Sequence, residues 1–309
     1  MLWNLSASVP NRKVGRPRSE PTTVVRVPLA LRPVIEQMAS YWRDRNSVAD
    51  AAVKSFSKGS EQVPSAPRKG IKVLKPADAL ETMSALHREG ITADVLILDP
   101  WYEPAPGQTI SDHRQYYRRL ILAGSKISTH IFCWGTAAIL GPLVDSAPRD
   151  FKFRDWLVWS HQNTPSVART SWRSTHQTCL HFSTKNAPLY PERFFSAKQK
   201  LLLEKRKLRF WPNPGNVLNV GLLAGFVGTN ERVGHPAQKP VKVISTLLTM
   251  ACPDGGLVID PFAGSGTAGI AAMELGIRAI LSDISPQYTS MMRKRIRTVK
   301  SAQTKSGKN

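Results

Sequence analysis

The chain contains few cysteines and no long apolar run. Its three cysteines, Cys133, Cys179 and Cys252, lie far apart and form no Cys-x-x-Cys spacing, so we expect neither a disulfide framework nor a structural zinc site. No apolar run reaches transmembrane length, and the segment 1–10 does not have the charged and apolar regions of a signal peptide. We therefore expect no membrane partner, and a location in the cytoplasm of a cell or of a virus-infected host.

Acidic residues are also scarce. There are 22 Asp and Glu against 43 Lys and Arg, which gives a formal net charge of +21 at pH 7. Such an excess is unusual for an ordinary cytosolic enzyme and favours a polyanionic partner.

The most informative segment runs from Asp260 to Thr267, with the sequence Asp-Pro-Phe-Ala-Gly-Ser-Gly-Thr. It follows the apolar run 256–259 and precedes the small residues 268–272. An apolar strand that ends in an acid and turns through two glycines into a helix is typical of a nucleotide-shaped ligand site in an open α/β sheet. Gly264 and Gly266 permit a positive φ or a close approach of the backbone to a ligand. A tight turn without a ligand is the alternative.

Two further segments complete a pattern. The apolar run 93–98 predicts a buried strand that leads directly into Asp99-Pro-Trp-Tyr102, and Gly234-His-Pro-Ala-Gln-Lys-Pro240 precedes a helical pattern over 241–252. In this order, the three segments resemble the S-adenosylmethionine-dependent amino-methyltransferases of DNA, which methylate adenine N6 or cytosine N4. The resemblance covers about residues 70 to 298. Placing the catalytic half before the cofactor half is the β-group order of that family.

The resemblance implies an α/β fold. We expect a Rossmann-like class I methyltransferase with a circularly permuted, mostly parallel sheet, helices on both faces and a small N-terminal extension. The expected boundaries are 1–57 for a basic extension, 58–69 for a linker, 70–300 for the methyltransferase domain and 301–309 for a basic disordered tail. A target-recognition insert is expected at about 186–233. Within the domain, periodicity predicts helices at 112–123 and 136–144 and strands at 129–134 and 156–159.

The resemblance also assigns a catalytic tetrapeptide. Asp99 and the Pro100 carbonyl are expected to accept the amino hydrogens of a flipped base, and Tyr102 to stack on that base. Trp101 stands where the family usually has a second proline, which predicts a related but reshaped base pocket. An aspartate at the first position favours adenine, with cytosine N4 as the alternative. Two further alternatives remain. One is a noncatalytic DNA-binding protein with a degenerate core, and the other is an enzyme whose substrate is RNA.

S-adenosylmethionine is the expected cofactor. Asp78 would lie near its adenine and Asp283 on its ribose, although Asp283 could instead cap the helix that starts near Pro286. Lys239 could pair with the cofactor carboxylate or with a DNA phosphate, while the alternative for its segment is a polar loop whose Pro240 starts the next helix. The complete expected cofactor set is Asp78, His235, Gln238, Lys239, Asp260, Pro261, Phe262, Ala263, Gly264, Ser265, Gly266, Thr267 and Asp283.

Double-stranded DNA is the expected partner, which would associate the protein with the nucleoid. The segment 11–18 resembles an AT-hook, and the pattern over 22–56 resembles a ribbon-helix-helix protein, with a solvated basic arm as the alternative. In the insert, cations alternate with aromatics, although a charged solvated helix over 196–209 would also explain them. The expected DNA-binding residues are Arg16, Arg18, Arg26, Lys198, Lys200, Lys205, Arg206, Lys207, Arg209 and Trp211.

Three further expectations concern partners and metals. A homodimer and a cognate restriction nuclease are candidate partners. His176 and His181 have no third ligand at a suitable spacing, so we expect packed or exposed histidines and no metal site.

Overall fold

A computed structural model describes residues 66–67, 70–104, 107–164, 170, 172–224 and 227–306. The predictions for the N-terminal extension, including Arg16, Arg18 and Arg26, therefore lie outside the described residues, as do nearly all of the expected linker and the last three residues of the tail.

The described residues form one sheet of eight strands, in the spatial order β1-β8-β7-β2-β3-β5-β4-β6. Seven strands run in one direction, and β5 alone is antiparallel to its neighbours. The strands are β1 Ile71–Val73, β2 Ala93–Leu98, β3 Ser128–Gly135, β4 Phe151–Ser160, β5 His176–Thr184, β6 Val217–Asn219, β7 Leu257–Asp260 and β8 Arg278–Leu281.

Seven α-helices connect or flank these strands in the described part of the chain. Two short 3-10 helices cover Gly141–Leu143 and Pro191–Phe194. None of the described helices is both long and apolar enough to span a membrane. The α-helices are α1 Ala79–Arg88, α2 Ile110–Gly124, α3 Ala137–Leu140, α4 Ala197–Glu204, α5 Val241–Ala251, α6 Thr267–Glu274 and α7 Pro286–Ser306.

The sheet is covered on both faces. Val95 and Ile97 of β2 pack with the buried residues of α5, α6 and α7, whereas Leu96 and Leu98 pack with those of α1, α2 and α3. Side chains alternate between the faces of a strand, so a strand covered on both sides must be apolar throughout. This explains why the run 93–98 is apolar with the exception of Asp94.

The centre of the sheet contains a reversal of strand order. From β7 the chain passes through α6 to β8 on one side, whereas from β2 it passes through α2 to β3 on the other. Ligands of open α/β sheets bind at the carboxyl ends of strands at such a reversal. Because the β2 half precedes the β7 half in the chain, the order is circularly permuted. The predicted fold class is confirmed.

Two helices end at other residues than expected. The charged helix that was the alternative for 196–209 ends at Glu204, where the Arg206 amide donates to the Leu203 carbonyl and the Lys207 amide to the Leu202 carbonyl. This is a Schellman motif, with Arg206 at the left-handed position (φ 53°). At the C-terminus, α7 continues to Ser306, so residues 301–306 are helical rather than disordered, since neither glycine nor proline interrupts them.

Asp94 couples the two central strands. Its Oδ2 accepts a 2.8 Å hydrogen bond from the Leu257 amide, at the first residue of β7, while β2 and β7 are directly paired only at Val95–Val258 and Leu96–Ile259. The side chain therefore extends a short pairing at the place where the two halves of the fold meet.

We predict that Asp94→Ala lowers the free energy of unfolding by about 1–2 kcal/mol, because the Leu257 amide loses its acceptor. Asp94→Asn should keep most of the stability, since its side-chain oxygen can still accept. Urea unfolding of the two variants and the unsubstituted protein measures this. Equal stability of the alanine and asparagine variants would contradict the coupling role.

Candidate active site

Three loops meet at the carboxyl edge of the central strands. Residues 99–102 follow β2, residues 261–266 follow β7, and residues 234–240 lead into α5. Contacts between these loops show that they form one site. Lys239 Nζ reaches Asp99, the Thr267 hydroxyl donates to the Lys239 carbonyl at 3.1 Å, and the His235 ring lies beside Gly264.

Lys239 and Asp99 form the central ion pair. The Lys239 ammonium lies 2.6 Å from both carboxylate oxygens of Asp99 and 2.8 Å from the Tyr102 hydroxyl. An ammonium has three protons, so all three have an acceptor. The ammonium also lies 4.7 Å from the centre of the Trp134 ring, a cation–π distance, and only 6% of the lysine side chain is exposed.

Tyr102 connects this pair to the antiparallel strand. Its hydroxyl lies 2.9 Å from Asp99 Oδ1 and 2.9 Å from Gln177 Oε1. Burial, together with the negative charge of Asp99, raises the pKa of Tyr102 well above its usual value. The hydroxyl therefore stays protonated at neutral pH and acts as a hydrogen-bond donor rather than a base.

Trp101 is held by helix α2. Its carbonyl accepts from the Tyr117 hydroxyl at 3.2 Å and lies 2.9 Å from His113 Nε2, while its ring stacks on Tyr116 with centres 5.1 Å apart. A proline at this position would fix the loop through its own φ. Here the loop is fixed by packing and by hydrogen bonds to the Trp101 carbonyl, and the indole points toward α2.

The glycine loop has the geometry that the sequence suggests. Gly264 and Gly266 both have positive φ, 45° and 78°. Asp260 Oδ1 accepts from the Phe262 amide at 2.9 Å. Burial raises the pKa of Asp260 well above its usual value, with smaller contributions from Asp99 and Asp283.

Asp283 lies against this loop. Its Oδ2 accepts from the Gly264 amide at 2.9 Å and its Oδ1 from the Ser285 amide at 2.8 Å. The helix-cap role, which was the alternative for Asp283, belongs to Ser285, because Ser285 Oγ accepts from the Tyr288 amide in the first turn of α7. Asp78 does cap a helix: its Oδ1 accepts from the Leu80 and Glu81 amides at the start of α1.

His235 stands between the loop and α7. Its ring lies 4.4 Å from that of Tyr288, and a Cβ added at Gly264 would come 2.7 Å from His235 Nε2. Burial lowers the pKa of His235 to about 4, although the Asp99 charge opposes this. The imidazole is therefore neutral at physiological pH, and only glycine fits opposite it.

Gln238 has a different position from the expected one. Its Oε1 accepts from the Val233 amide at 3.0 Å and its Nε2 donates to the Glu231 carbonyl at 2.8 Å. Both ends of the amide therefore fix the loop that precedes α5. Pro240 also differs slightly from expectation, because it lies one residue before the helix and Glu231 Oε1 accepts from the Val241 amide.

Residues 112–294 match the protein-family model described as DNA methylase, which is more than half of the chain. The chain belongs to this DNA methylase family. Among curated relatives, it is 26% identical over 167 residues to the DNA adenine methyltransferase YhdJ of Escherichia coli (strain K12), which covers 50% of this chain and 56% of that protein. It is 39% identical over 62 residues to the Type II methyltransferase M2.DpnII of Streptococcus pneumoniae, covering 20% of this chain and 23% of that protein.

Solved structures agree on the fold. The complex of M1.HpyAVI with SAM has a TM-score of 0.57 and 19% identity, covering 73% of this chain and 98% of that one. The cytosine-N4-specific PvuII DNA methyltransferase has a TM-score of 0.54 and 14% identity, covering 74% and 89%. The chain spans about half the length, or less, of the first curated relatives that it matches.

Sequence reasoning about this DNA methylase missed an internal support of the glycine loop. The buried Arg295 of α7 donates to the Ser265 carbonyl at 3.2 Å and to Thr267 Oγ1 at 3.1 Å, and its other nitrogen lies 3.7 Å from Glu231 Oε1. Ser265 and Thr267, both expected to bind the cofactor, are thus buried against Arg295. The neighbouring cations Arg293, Lys294 and Arg297 are exposed, so residue type alone does not indicate that Arg295 points inward.

The structure also changes the expectation for Lys239 and places the predicted DNA-binding cations. Lys239 pairs with Asp99 rather than presenting a free ammonium to a carboxylate or phosphate.

Strand β5 runs in reverse, so the chain leaves it at Thr184 beside Phe151, where the parallel strands begin. The Tyr190 amide then donates to the Met250 carbonyl at the end of α5. Helix α4 therefore starts at the edge opposite Asp99, with Lys198 and Lys200 exposed on it and Lys205, Arg206, Lys207, Arg209 and Trp211 exposed after it.

His181 is packed, with its Nε2 3.0 Å from Nδ1 of His130, whereas His176 is exposed. Burial lowers the pKa of His181 to about 3 and that of His130 to about 4. The two rings are therefore a neutral packed pair.

Gly266 and Gly276 flank the same helix, α6, and both have positive φ. A Cβ at Gly266 would come 2.8 Å from Met292 Cβ of α7, whereas a Cβ at Gly276 would meet nothing within 4 Å. We predict that Gly276→Ala costs roughly 1–2 kcal/mol of unfolding free energy from backbone strain alone. Gly266→Ala should cost about 1–3 kcal/mol more through overpacking. Thermal unfolding of both variants measures the difference, and equal losses would mean that Met292 yields without cost.

Proposed function

We propose that this protein is an S-adenosylmethionine-dependent DNA methyltransferase that modifies the exocyclic amino group of a flipped base, with adenine N6 as the target. The observation that carries the proposal is the pairing of Asp99 with Lys239 and Tyr102 at the carboxyl end of β2, beside the glycine loop that follows β7. A reactive carboxylate next to a nucleotide-shaped cradle at the strand-order reversal is the arrangement this reaction needs.

The residues at the edge of the sheet fit the cofactor. The loop at Gly264 is a cradle in which a Cβ would strike His235, and Phe262 presents an aromatic ring that is partly exposed. Asp283 accepts one backbone amide on each oxygen and lies against the glycine loop, which is the place of a ribose-binding carboxylate at the end of the next strand. Asp78 opens α1 one residue after Ala77, whose amide donates to the Asp283 carbonyl. When bound, the cofactor supplies a methyl group on a positively charged sulfur.

Asp99 performs the proton chemistry. One carboxylate oxygen accepts an amino hydrogen of the base, and the Pro100 carbonyl accepts the other, which draws the nitrogen lone pair out of conjugation with the ring. Asp99 would stabilise the positive charge that develops on the amino nitrogen as this nitrogen takes the methyl group and the bond between the methyl carbon and the cofactor sulfur breaks. The proton that the nitrogen then loses passes to Asp99 or to a water beside it.

Lys239 positions the carboxylate. Its ammonium holds both Asp99 oxygens, so the incoming amino group must share or take over one of these contacts. Tyr102 donates from the other side and, because it stays protonated, does not compete as a base. The network orients Asp99 before the base arrives, which reduces the reorganisation needed during the reaction.

The choice of base rests on Asp99. Among similar proteins, YhdJ is named an adenine methyltransferase and PvuII a cytosine-N4 enzyme, so similarity alone supports both. The aspartate favours adenine, and cytosine N4 is the second candidate.

Duplex DNA is the proposed substrate, and the net charge of +21 supports a polyanion. Because α4 starts at the edge opposite Asp99, we propose that its cations contact phosphates away from the target base. The N-terminal residues Arg16, Arg18 and Arg26 stay predicted DNA contacts. The homodimer, the cognate nuclease and the cytoplasmic location also stay predictions from the sequence.

The test is transfer of a labelled methyl group to unmethylated duplex DNA, followed by digestion to nucleosides and mass spectrometry. We expect N6-methyladenine. Asp99→Ala should lower methyl transfer by about 10³-fold or more, because both the hydrogen-bond acceptor and the charge are lost, while cofactor affinity changes little. N4-methylcytosine would replace the base assignment. Cofactor binding without transfer to any DNA would favour the noncatalytic DNA-binding alternative, and label on RNA alone would favour an RNA substrate.

A second test concerns Lys239, with Lys242 as the matched control. Lys242 lies three residues further along, at the exposed face of α5. Lys239→Met should lower kcat by roughly 10- to 100-fold, in the range of 1.4–2.8 kcal/mol, with cofactor affinity nearly unchanged. Lys242→Met should retain kcat within about twofold, on the general behaviour of exposed residues. Faster turnover in Lys239→Met would mean that the lysine blocks Asp99 rather than positioning it.

A further inference from the structure

The described ends of the connection between β4 and β5 lie at the catalytic edge of the sheet. Strand β4 ends there at Ser160, and the antiparallel β5 begins there at His176. The second residue of β5, Gln177, lies 2.9 Å from the Tyr102 hydroxyl. The residues just before β5 are therefore neighbours of the site that is proposed to receive the base.

The base of this connection is firmly held. The His161 amide donates to the Thr175 carbonyl at 2.8 Å, which continues the β4–β5 pairing by one step. Asn163 exchanges two hydrogen bonds with the backbone of Leu222, at 2.7 and 2.8 Å. The described residues 172–174, which precede Thr175, therefore extend from a hydrogen-bonded support.

Trp172 projects from this support into solvent. Its side chain is 99% exposed, whereas Trp134 and Trp159 are buried in the core. Arg173 beside it is exposed as well, and the segment 172–177 contains no acidic residue. Gln177 lies five positions after Trp172, which places the two within about 18 Å of each other at full extension.

We propose that Trp172 inserts into the DNA duplex next to the target base and stacks in the space that the base leaves, with Arg173 on an adjacent phosphate. This inference rests on the proposed base-flipping function. A base that leaves the helix loses its stacking and pairing, and an aromatic or apolar wedge compensates part of that loss. A large exposed aromatic beside a cation, at the same edge as Asp99, has the chemistry and the place for this role.

A second highly exposed aromatic in the described part of the chain gives a matched control. Phe210 is 84% exposed and also stands beside an arginine, Arg209. It follows α4, which starts at the opposite edge of the sheet. Phe210 and Trp172 therefore have similar exposure and similar neighbours but different positions relative to Asp99.

The test compares methyl transfer to two duplexes that differ at one position. In the first, the target base is paired, and in the second it faces an abasic site, so that little pairing must be broken. Both carry the sequence that the unsubstituted protein methylates. Trp172→Ala should lower kcat/KM on the paired duplex by about tenfold, a typical effect of losing one stacking contact. On the abasic duplex, the loss should be less than about twofold, and Trp172→Phe should restore most of the activity on the paired duplex.

Phe210→Ala should leave the ratio of the two activities unchanged. An equal loss on both duplexes for Trp172→Ala, or no loss on either, would overturn the wedge. If the unsubstituted protein transfers no methyl group to any duplex, the proposed function itself fails, and the inference fails with it. Far-ultraviolet circular dichroism of each variant checks that the fold is retained.

Discussion

Every carboxylate at the carboxyl edge of the sheet needs a partner, and the rest of the site is arranged around that requirement. Strand order brings Asp99, Asp260 and Asp283 to one edge, where like charges repel and burial removes water. Each has a different solution: Asp99 is paired with Lys239, Asp260 accepts from the Phe262 amide, and Asp283 accepts from two backbone amides. The glycine loop provides donors for two of the carboxylates, the Phe262 amide for Asp260 and the Gly264 amide for Asp283.

The attraction between Lys239 and Asp99 compensates only part of the free energy that their burial costs. Removing both charges from water is costly, and attraction between them compensates only if the remaining protons and lone pairs are also satisfied. Tyr102 and the Trp134 ring meet the ammonium on its other sides, and Gln177 takes the far side of the tyrosine hydroxyl. The carboxylate is nevertheless partly exposed, 21% against 6% for the lysine. That asymmetry leaves Asp99 approachable by a substrate while its counterion stays in place.

Local patterns predicted the elements better than they predicted the contacts. The apolar run 93–98 and the glycine loop at 264–266 were identified because strand and turn formation depend on neighbouring residues. The pairing of Lys239 with Asp99 joins residues 140 positions apart, and the inward direction of Arg295 depends on how α7 packs. Neither can be inferred from periodicity. The reversed direction of β5 was also not evident from its composition, although that direction decides at which edge α4 begins.

The surfaces that would attract a polyanion differ from the site that would select one base. The edge that carries three aspartates is a poor place to attract a polyanion, so we expect most of the excess cations to act from other surfaces, such as the exposed lysines and arginines of 198–209. Such contacts are independent of base sequence and weaken steeply with salt. In the proposed function, selection of one base comes from the catalytic edge itself, where Asp99 and Pro100 are proposed to bind the amino group. Affinity and specificity should consequently respond differently to ionic strength, because the ammonium that neutralises Asp99 is buried and less screened than cations on the surface.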